Sequence, residues 1–208
     1  MIEPPDLMDF FTQDAIAEAI AERQWAWTEQ WHSGPSAPST AEPWTWIEAN
    51  HRMNFDLWHE EDIARRDDLP AERIRAAKRA IDRFNQARND AVEKLDVCLL
   101  THLPQPAADV PLHSETAGMI VDRLSILALK LYHMRIEAER PSAAEQHRAT
   151  CTGKAMVLTE QRSDLARCLR ELLGDMRAGR RQFRLYRQFK MYNDPSLNPE
   201  LYGQGRGR

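Results

Sequence analysis

Residues 120–130 read Ile-Val-Asp-Arg-Leu-Ser-Ile-Leu-Ala-Leu-Lys, and they contain most of the best apolar run of the chain, from Leu124 to Leu131. Ser125 and Lys130 interrupt this run, and it is much shorter than the roughly 18 apolar residues that a membrane span requires. The pattern therefore predicts the buried face of a helix. The fold class depends on how many further helices the rest of the chain can form.

Proline and glycine divide the rest of the chain into helix-length intervals. The predicted helices cover roughly residues 9–31, 43–66 and 114–140, with a third that begins within residues 67–72 and reaches about His102. A fifth begins at residues 141–145 and carries an apolar face as far as Met176, and a final helix extends to about Tyr192. Pro141–Glu145 is expected to form a capping box, and Gly174 and Gly179 are expected to break the helix that follows. No period-two alternation indicates a strand.

These intervals predict an all-α fold: an antiparallel bundle of about five to six helices, some of them long, with no sheet. The expected organisation is one helical-bundle domain over residues 1–192 and a turn-rich tail over residues 193–208. A length of 208 residues is sufficient to bury a sizeable core within one domain.

Composition excludes several classes of protein. Hydrophobic residues make up 42% and charged residues 29% of the chain, which is typical of a globular protein. The formal net charge of −4 argues against a surface built throughout for nucleic acid or anionic membrane. The three cysteines form no close pair, and the amino terminus is acidic and contains proline, unlike a signal peptide. These features predict a cytoplasmic protein with reduced thiols.

All the tryptophans fall in the first two predicted helices. Packing of these two helices on each other through aromatic area is the favoured interpretation, and a platform for stacking a ligand is the alternative. The residues are Trp25, Trp27, Trp31, Trp44, Trp46 and Trp58.

Polar residues interrupt faces that should be apolar, and a buried polar group must be paired, so each one is either structural or part of a site. On the second helix, His51, Asn54, Trp58 and Arg65 follow one stripe, with Glu61 and Asp62 at its edges. On the fourth helix, Asp122 and His133 lie on either side of apolar Ile126 and Leu129, and on the third helix Arg88 shares the side of Ile81. If these stripes meet, the bundle has a polar interior.

Two interpretations of that interior stay open. Inward carboxylates and imidazoles can hold a divalent cation such as Mg²⁺ or Mn²⁺, with the arginines neutralising a phosphate. Alternatively, Asp122 forms an internal ion pair with Arg65 or Arg88, and His51 and His133 are hydrogen-bonded core histidines.

A basic run near the carboxyl end contains no acidic residue between its ends, and apolar residues alternate with it, which predicts an amphipathic helix. Docking on acidic parts of the bundle or on a phosphorylated small ligand is favoured over nucleic acid, for which only weak, salt-dependent binding is expected. The basic residues are Arg177, Arg180, Arg181, Arg184, Arg187 and Lys190.

Three stretches resemble the signatures of a bacterial family known as domain of unknown function 4254. They are residues 50–65 (NHRMNFDLWHEEDIAR), 120–130 (IVDRLSILALK) and 190–195 (KMYNDP). The resemblance covers nearly the whole chain and implies a link to glycosyltransferase and lipopolysaccharide genes. It strengthens Lys130, Lys190, Tyr192 and Asn193 as further candidate residues. A looser likeness is to all-α nucleotide pyrophosphatases, although their E-x-x-E and E-x-x-D spacings are absent.

The leading hypothesis is a pocket for a phosphorylated ligand, such as a nucleotide or nucleotide-sugar, in cell-surface glycan metabolism. Metal ligands would be Glu61, Asp62 and Asp122; His51 or His133 would be the acid or base; and the ligand would meet Asn54, Trp58, Arg65, Arg88, Lys130, Lys190, Tyr192 and Asn193. The rival hypothesis is a non-catalytic accessory protein that binds a glycosyltransferase, or itself as a homodimer, through an exposed helical face.

Overall fold

The structure, a computed structural model, describes residues 15–107 and 109–187. In this part of the chain five helices make up the fold: α1 (Ile16–Ser33), α2 (Trp44–Ala64), α3 (Ala71–His102), α4 (Ala117–Glu139) and α5 (Glu145–Arg177). The described ranges contain no strand and only one isolated bridge, between Leu112 and Gln182. The all-α prediction is confirmed. None of the described helices is long and apolar enough to cross a membrane.

The central element is α4, which contacts all four other helices. Ile120, Leu124, Ala128 and Leu129 of α4 are almost completely buried, as the apolar pattern of residues 120–130 predicts. The most extensive helix pairs are α2 with α3 and α4 with α5, because short connections join the members of each pair. The core therefore forms around α4, and the polar side chains that α4 carries lie deep between helices.

Helix ends differ from the predictions in three places. Thr116 caps α4 by accepting a hydrogen bond from Met119 N at 3.1 Å, so this helix begins three residues later than residue 114. The capping-box prediction for α5 is wrong, because the cap residue is Ala144 and no side chain caps the helix. The expected break at Gly174 is absent, and the chain leaves the helix at Ala178 and Gly179, where glycine adopts a φ of 66°.

The final helix is absent over residues 180–187, so that prediction is wrong where the structure describes the chain. This segment pairs instead with the proline-rich connector: Gln182 N donates to Pro111 O at 3.1 Å, and His113 N donates to Gln182 O at 2.7 Å. Phe183 is buried and anchors it. The basic run therefore forms no helical face over these residues, and its remainder, from 188 to 190, lies outside the described residues.

Tryptophan packing between α1 and α2 is confirmed for Trp27 and Trp44. Trp27 of α1 meets Trp44 of α2 edge-on, with ring centroids 6.5 Å apart, and it stacks on Trp31 of its own helix at 6.1 Å. All three are buried. Trp58, in contrast, stacks on His133 of α4, with ring centroids 4.5 Å apart.

The amino terminus of α4 fits tightly against α3. Gly118 N donates to the buried carboxylate of Asp96 at 2.7 Å, and a Cβ atom at position 118 would lie 2.8 Å from that oxygen and 2.9 Å from Val92 O. Because the backbone oxygen cannot move cheaply, we expect Gly118→Ala to lower the free energy of unfolding by about 2 kcal/mol in urea titrations.

A matched control for this substitution is Gly153→Ala, also within a helix, where the added Cβ would meet no atom within 4 Å. It should raise the free energy of unfolding by about 0.5–1 kcal/mol, because alanine has the higher helix propensity. Equal effects of the two substitutions would contradict the close approach of α4 to α3.

Candidate functional site

A pocket of about 460 Å³ lies between α2, α3 and α4, and we call it the polar pocket. Leu57, Ile126 and Leu129 provide its apolar wall. Its polar lining consists of Asn54, Trp58, Glu61, Asp62 and Arg65 at the α2 side, with Asn85 and Arg88 from α3. Six of the predicted site residues are thus brought together in one place, and the amide of Asn85 joins them.

Helical periodicity explains why α2 contributes so many of these residues. Asn54, Trp58, Glu61 and Arg65 are separated by steps of four, three and four residues, which place them on one face along the helix axis. Asn54 is buried at the inner end of this stripe, whereas Arg65 is exposed at the outer end, just beyond the helix. The pocket therefore runs from a buried amide to a charged rim.

Asp122 of α4 lies behind the lining and contacts two of its members. The Nδ2 atoms of Asn50 and Asn54 each donate to Asp122 Oδ1 at 2.8 Å, and Arg88 Nε lies 3.8 Å from the same oxygen. No hydrogen bond from the described residues reaches the other carboxylate oxygen, Oδ2. Asp122 thus holds an asparagine and an arginine in place at the inner end of the pocket.

Arg88 is the most distinctive group of the polar pocket. Its side chain is 25% exposed, its Nε atom is buried without a hydrogen-bond partner, and its Nη2 atom donates to Asn89 at 3.3 Å. Arginine seldom lies this deep without full pairing, because removing the charge from water is costly. The internal ion pair expected as the alternative is present with Arg88, although its closest N–O distance of 3.8 Å is long.

The charges at the rim pair with one another. Arg65 Nη2 lies 2.9 Å from Glu61 and Nη1 lies 4.0 Å from Asp62, and the arginine side chain is 68% exposed. Exposed pairs of this kind contribute little to stability. They therefore hold the rim of the pocket in place only weakly.

His51 is completely buried and does not line the polar pocket. Thr28 donates its hydroxyl proton to Gln24 O, so the network assigns Nε2–H of His51 as donor to Thr28 Oγ1, at 2.9 Å. Nδ1 then accepts from Ser125 Oγ at 2.7 Å. Burial lowers the pKa of His51 to about 3. His51 is therefore a hydrogen-bonded core histidine, as the second of the two interpretations predicts.

His133 also lies outside the polar pocket. Its ring is parallel to the Trp58 indole, and its Nε2 atom is buried without a hydrogen-bond partner. Burial, followed by the proximity of His32 and His59, lowers its pKa to about 4. His133 lines a second, neighbouring cavity together with Lys130.

The three predicted metal ligands do not converge. Glu61 and Asp62 lie at the pocket rim, whereas Asp122 lies behind the inner wall. Over residues 15–107 and 109–187, no three histidine, cysteine, aspartate or glutamate side chains are placed so that they could hold a metal ion. Glu115, the acidic residue seven positions before Asp122, pairs with Arg123.

Several predicted ligand residues cannot be placed, and some contributing residues were not predicted. Lys190, Tyr192 and Asn193 lie outside the described residues. Ser125 and Asn50 were missed, although each had a signal in the sequence. Ser125 interrupts the apolar run of α4, and Asn50 precedes Asn54 by one helical turn.

Comparison with known proteins gives a match to a family model. No curated protein and no solved structure shows significant similarity to the chain. The model of a family described as a protein of unknown function, DUF4254, matches residues 44–185, which is more than half of the chain and includes α2 to α5. The chain therefore belongs to the DUF4254 family.

Proposed function

We propose that the chain binds a small phosphorylated ligand, such as a nucleotide or a nucleotide-sugar, in the polar pocket. The observation that carries this proposal is the incompletely paired guanidinium of Arg88, which lines a cavity of about 460 Å³. Binding cavities for small molecules generally measure about 300–1,000 Å³. The setting that we propose, cell-surface glycan metabolism, rests on the family resemblance alone.

Each part of the lining matches one part of such a ligand. The planar guanidinium of Arg88 can donate to two phosphate oxygens at once, and its partial burial strengthens this interaction relative to water. The amide of Asn85 and the carbonyl oxygen of Asn54 can bond to ribose or sugar hydroxyls, whereas Nδ2 of Asn54 already donates to Asp122 and Ser125. Trp58, with Leu57 and Leu129, offers an apolar surface for the face of a sugar or base.

The proposal is one of binding and assigns no catalytic residue. A general acid or base must reach the reacting group, and neither His51 nor His133 lines the polar pocket. Glu61 and Asp62 at the rim suit a Mg²⁺ or Mn²⁺ ion that arrives with the phosphates of a nucleotide, because these cations prefer oxygen ligands.

Thermal-shift and calorimetric titrations with nucleoside diphosphates and nucleotide-sugars, with and without Mg²⁺, test this proposal. Binding to the native state must raise Tm by mass action. We expect Arg88→Met to weaken binding of the best ligand at least tenfold, or about 1.4 kcal/mol, because the phosphate loses its cation.

The matched control is Arg79→Met, an exposed arginine on the same helix that is outside the polar pocket. This variant should bind like the wild type. A panel in which no compound raises Tm, or equal affinities of the two variants, would overturn the proposal. The rival function, an accessory protein for a glycosyltransferase, instead predicts a partner whose affinity does not change in Arg88→Met.

A further inference from the structure

A second cavity of about 800 Å³ lies between α4 and α5, and we call it the apolar groove. Its walls are formed mainly by Trp58, Met134, Val157 and Leu158. The Trp58 indole lines both cavities, so it separates the apolar groove from the polar pocket. The groove therefore lies on the other side of Trp58 from the polar pocket, and the proposal for it does not rest on the function proposed for that pocket.

The groove exists because the first half of α5 is covered by little besides α4. Cys151 is the only buried residue of α5 before Leu165. Gly153 lines the groove, and a Cβ atom there would meet no atom within 4 Å. The missing side chain thus leaves open space beside the apolar walls. Val157 is 53% exposed although it is apolar, so the described part of the chain leaves this apolar surface uncovered.

Lysines border the groove without matching carboxylates. No hydrogen bond or ion pair within the described ranges engages the ammonium groups of Lys130 and Lys154. The acidic residue of the lining, Glu137, is already paired with Arg140 and His147. The border therefore has an excess of positive charge beside apolar walls.

We propose that the apolar groove binds a single-chain anionic amphiphile, namely an alkyl or isoprenoid chain that ends in a carboxylate or a phosphate. The chain would lie against Trp58, Met134 and Val157 and remove their apolar surface from water. The anionic end group would lie between Lys130 and Lys154 and receive hydrogen bonds from both. Charge complementarity and apolar surface together select this class over a neutral or cationic chain.

Titration calorimetry below the critical micelle concentration, with dodecyl phosphate, dodecanoate and dodecyltrimethylammonium, tests the ligand class. We expect the two anions to bind with one molecule per chain and the cation to bind at least tenfold more weakly. Decanoate should bind roughly tenfold more weakly than dodecanoate, because two methylene groups lose their burial. Comparison of the affinities for dodecanoate and dodecyl phosphate shows whether the groove prefers a carboxylate or a phosphate end group.

Gly153→Leu adds a large side chain at a groove-lining position where a Cβ atom would meet no atom within 4 Å, so the leucine can occupy the groove. We expect this variant to lose at least tenfold in affinity for the anionic amphiphiles without a fall in Tm, because leucine also has the higher helix propensity. The control, Ser163→Leu, adds the same side chain at an exposed position of α5 outside the groove and should bind normally.

Charge reversal and a second-site variant complete the test. Lys130→Glu combined with Lys154→Glu should weaken binding of both anions, whereas Arg88→Met, in the polar pocket, should leave it unchanged. Equal binding of the cation, many molecules bound per chain, or normal binding to Gly153→Leu would overturn the proposal. So would sedimentation of the wild type as a dimer that Gly153→Leu dissociates, because a second copy would then cover the groove.

Discussion

Replacing Asp122 by alanine is expected to lower the free energy of unfolding by about 4 kcal/mol, since one carboxylate serves three groups from two other helices. Asn50 and Asn54 would each lose the 2.8 Å hydrogen bond that they donate to Oδ1, and Arg88 would lose its nearest counter-ion. All three donors lie at positions that water reaches poorly. A buried donor without an acceptor destabilises the fold, because it has lost its hydrogen bonds to water and gains none within the protein.

The substitution Asp122→Asn removes the negative charge but keeps an oxygen that can accept hydrogen bonds. The amide oxygen of the new residue can still accept from Asn50 and Asn54, whereas the ion pair with Arg88 at 3.8 Å is lost. We expect a loss of about 2 kcal/mol, which is in the range of a hydrogen-bonded charge at a partly buried site. Urea titrations at pH 7 measure both variants.

The control for these variants is Asp164→Asn, which removes an exposed carboxylate paired with Arg167 at 2.7 Å. It should change the free energy of unfolding by less than about 0.5 kcal/mol. An Asp122→Asn protein as stable as the wild type, or more so, would show that Asp122 sits among repelling charges, as expected of a ligand or metal residue. Because the charged group of Arg88 lies 3.8 Å from Asp122, we expect Asp122→Asn to lower the free energy of unfolding.

A double-mutant cycle tests whether Arg88 is the group that stabilises the negative charge of Asp122. In an Arg88→Met background, Asp122→Asn should cost less than in the wild type, because no buried cation remains to be left unpaired. The expected coupling is about 1 kcal/mol, and additive effects of the two substitutions would show that the 3.8 Å approach contributes nothing.

The fold could be predicted because its signals are local. Spacing of apolar residues and the positions of proline fix α2, α3 and α4 to within a few residues. The segment after Gly179 could not be predicted in the same way. Its sequence permits an amphipathic helix, but Gln182 pairs with Pro111, which is distant in sequence, and Phe183 is buried. Tertiary contacts overrode the local pattern there.

The site was predictable along α2 and much less so across helices. Periodicity alone places Asn54, Trp58 and Arg65 on one face, and the structure brings them together in the polar pocket. Which residues of the other helices line the pocket depends on how deeply each helix is buried and on how it is rotated relative to its neighbours. His51, on the same helix, faces Thr28 of α1 and Ser125 of α4, so it became part of the core and not of the pocket. No spacing within α2 contains that information.

His51 provides the second large expected effect, through pH. Its folded-state pKa is about 3, because burial disfavours the charged ring, against 6.5 for the unfolded chain. The unfolded state therefore takes up a proton that the folded state refuses as the pH falls below 6.5. The stability associated with neutral His51 is fully present above that value and is lost on acidification. Between pH 7 and pH 5 this residue alone should cost about 2 kcal/mol.

Other groups also titrate in this range, so the measurement must isolate His51. His133, whose pKa is lowered to about 4, acts in the same direction. Asp96 acts in the opposite direction: burial raises its pKa to about 6 from 3.8, so its contribution is present at low pH and is lost as the pH rises through 6. Comparison of the wild type with a His51 variant cancels both.

His51→Gln should be about 2 kcal/mol less stable than the wild type at pH 7, because glutamine cannot bond to both Thr28 and Ser125 with the same geometry. At pH 5 the two proteins should have nearly equal stability, because the variant has no imidazole to protonate on unfolding. Ser125→Ala is the matched control: it removes a hydrogen bond to His51 but keeps the ring, so its stability should be lower at both pH values and fall in parallel with the wild type. Urea titrations of the three proteins from pH 7 to pH 5 give the result. If the His51→Gln and wild-type curves stay parallel over this range, the ring of His51 is not neutral in the folded protein, and the hydrogen bonds that join it to Thr28 and Ser125 have a different protonation pattern.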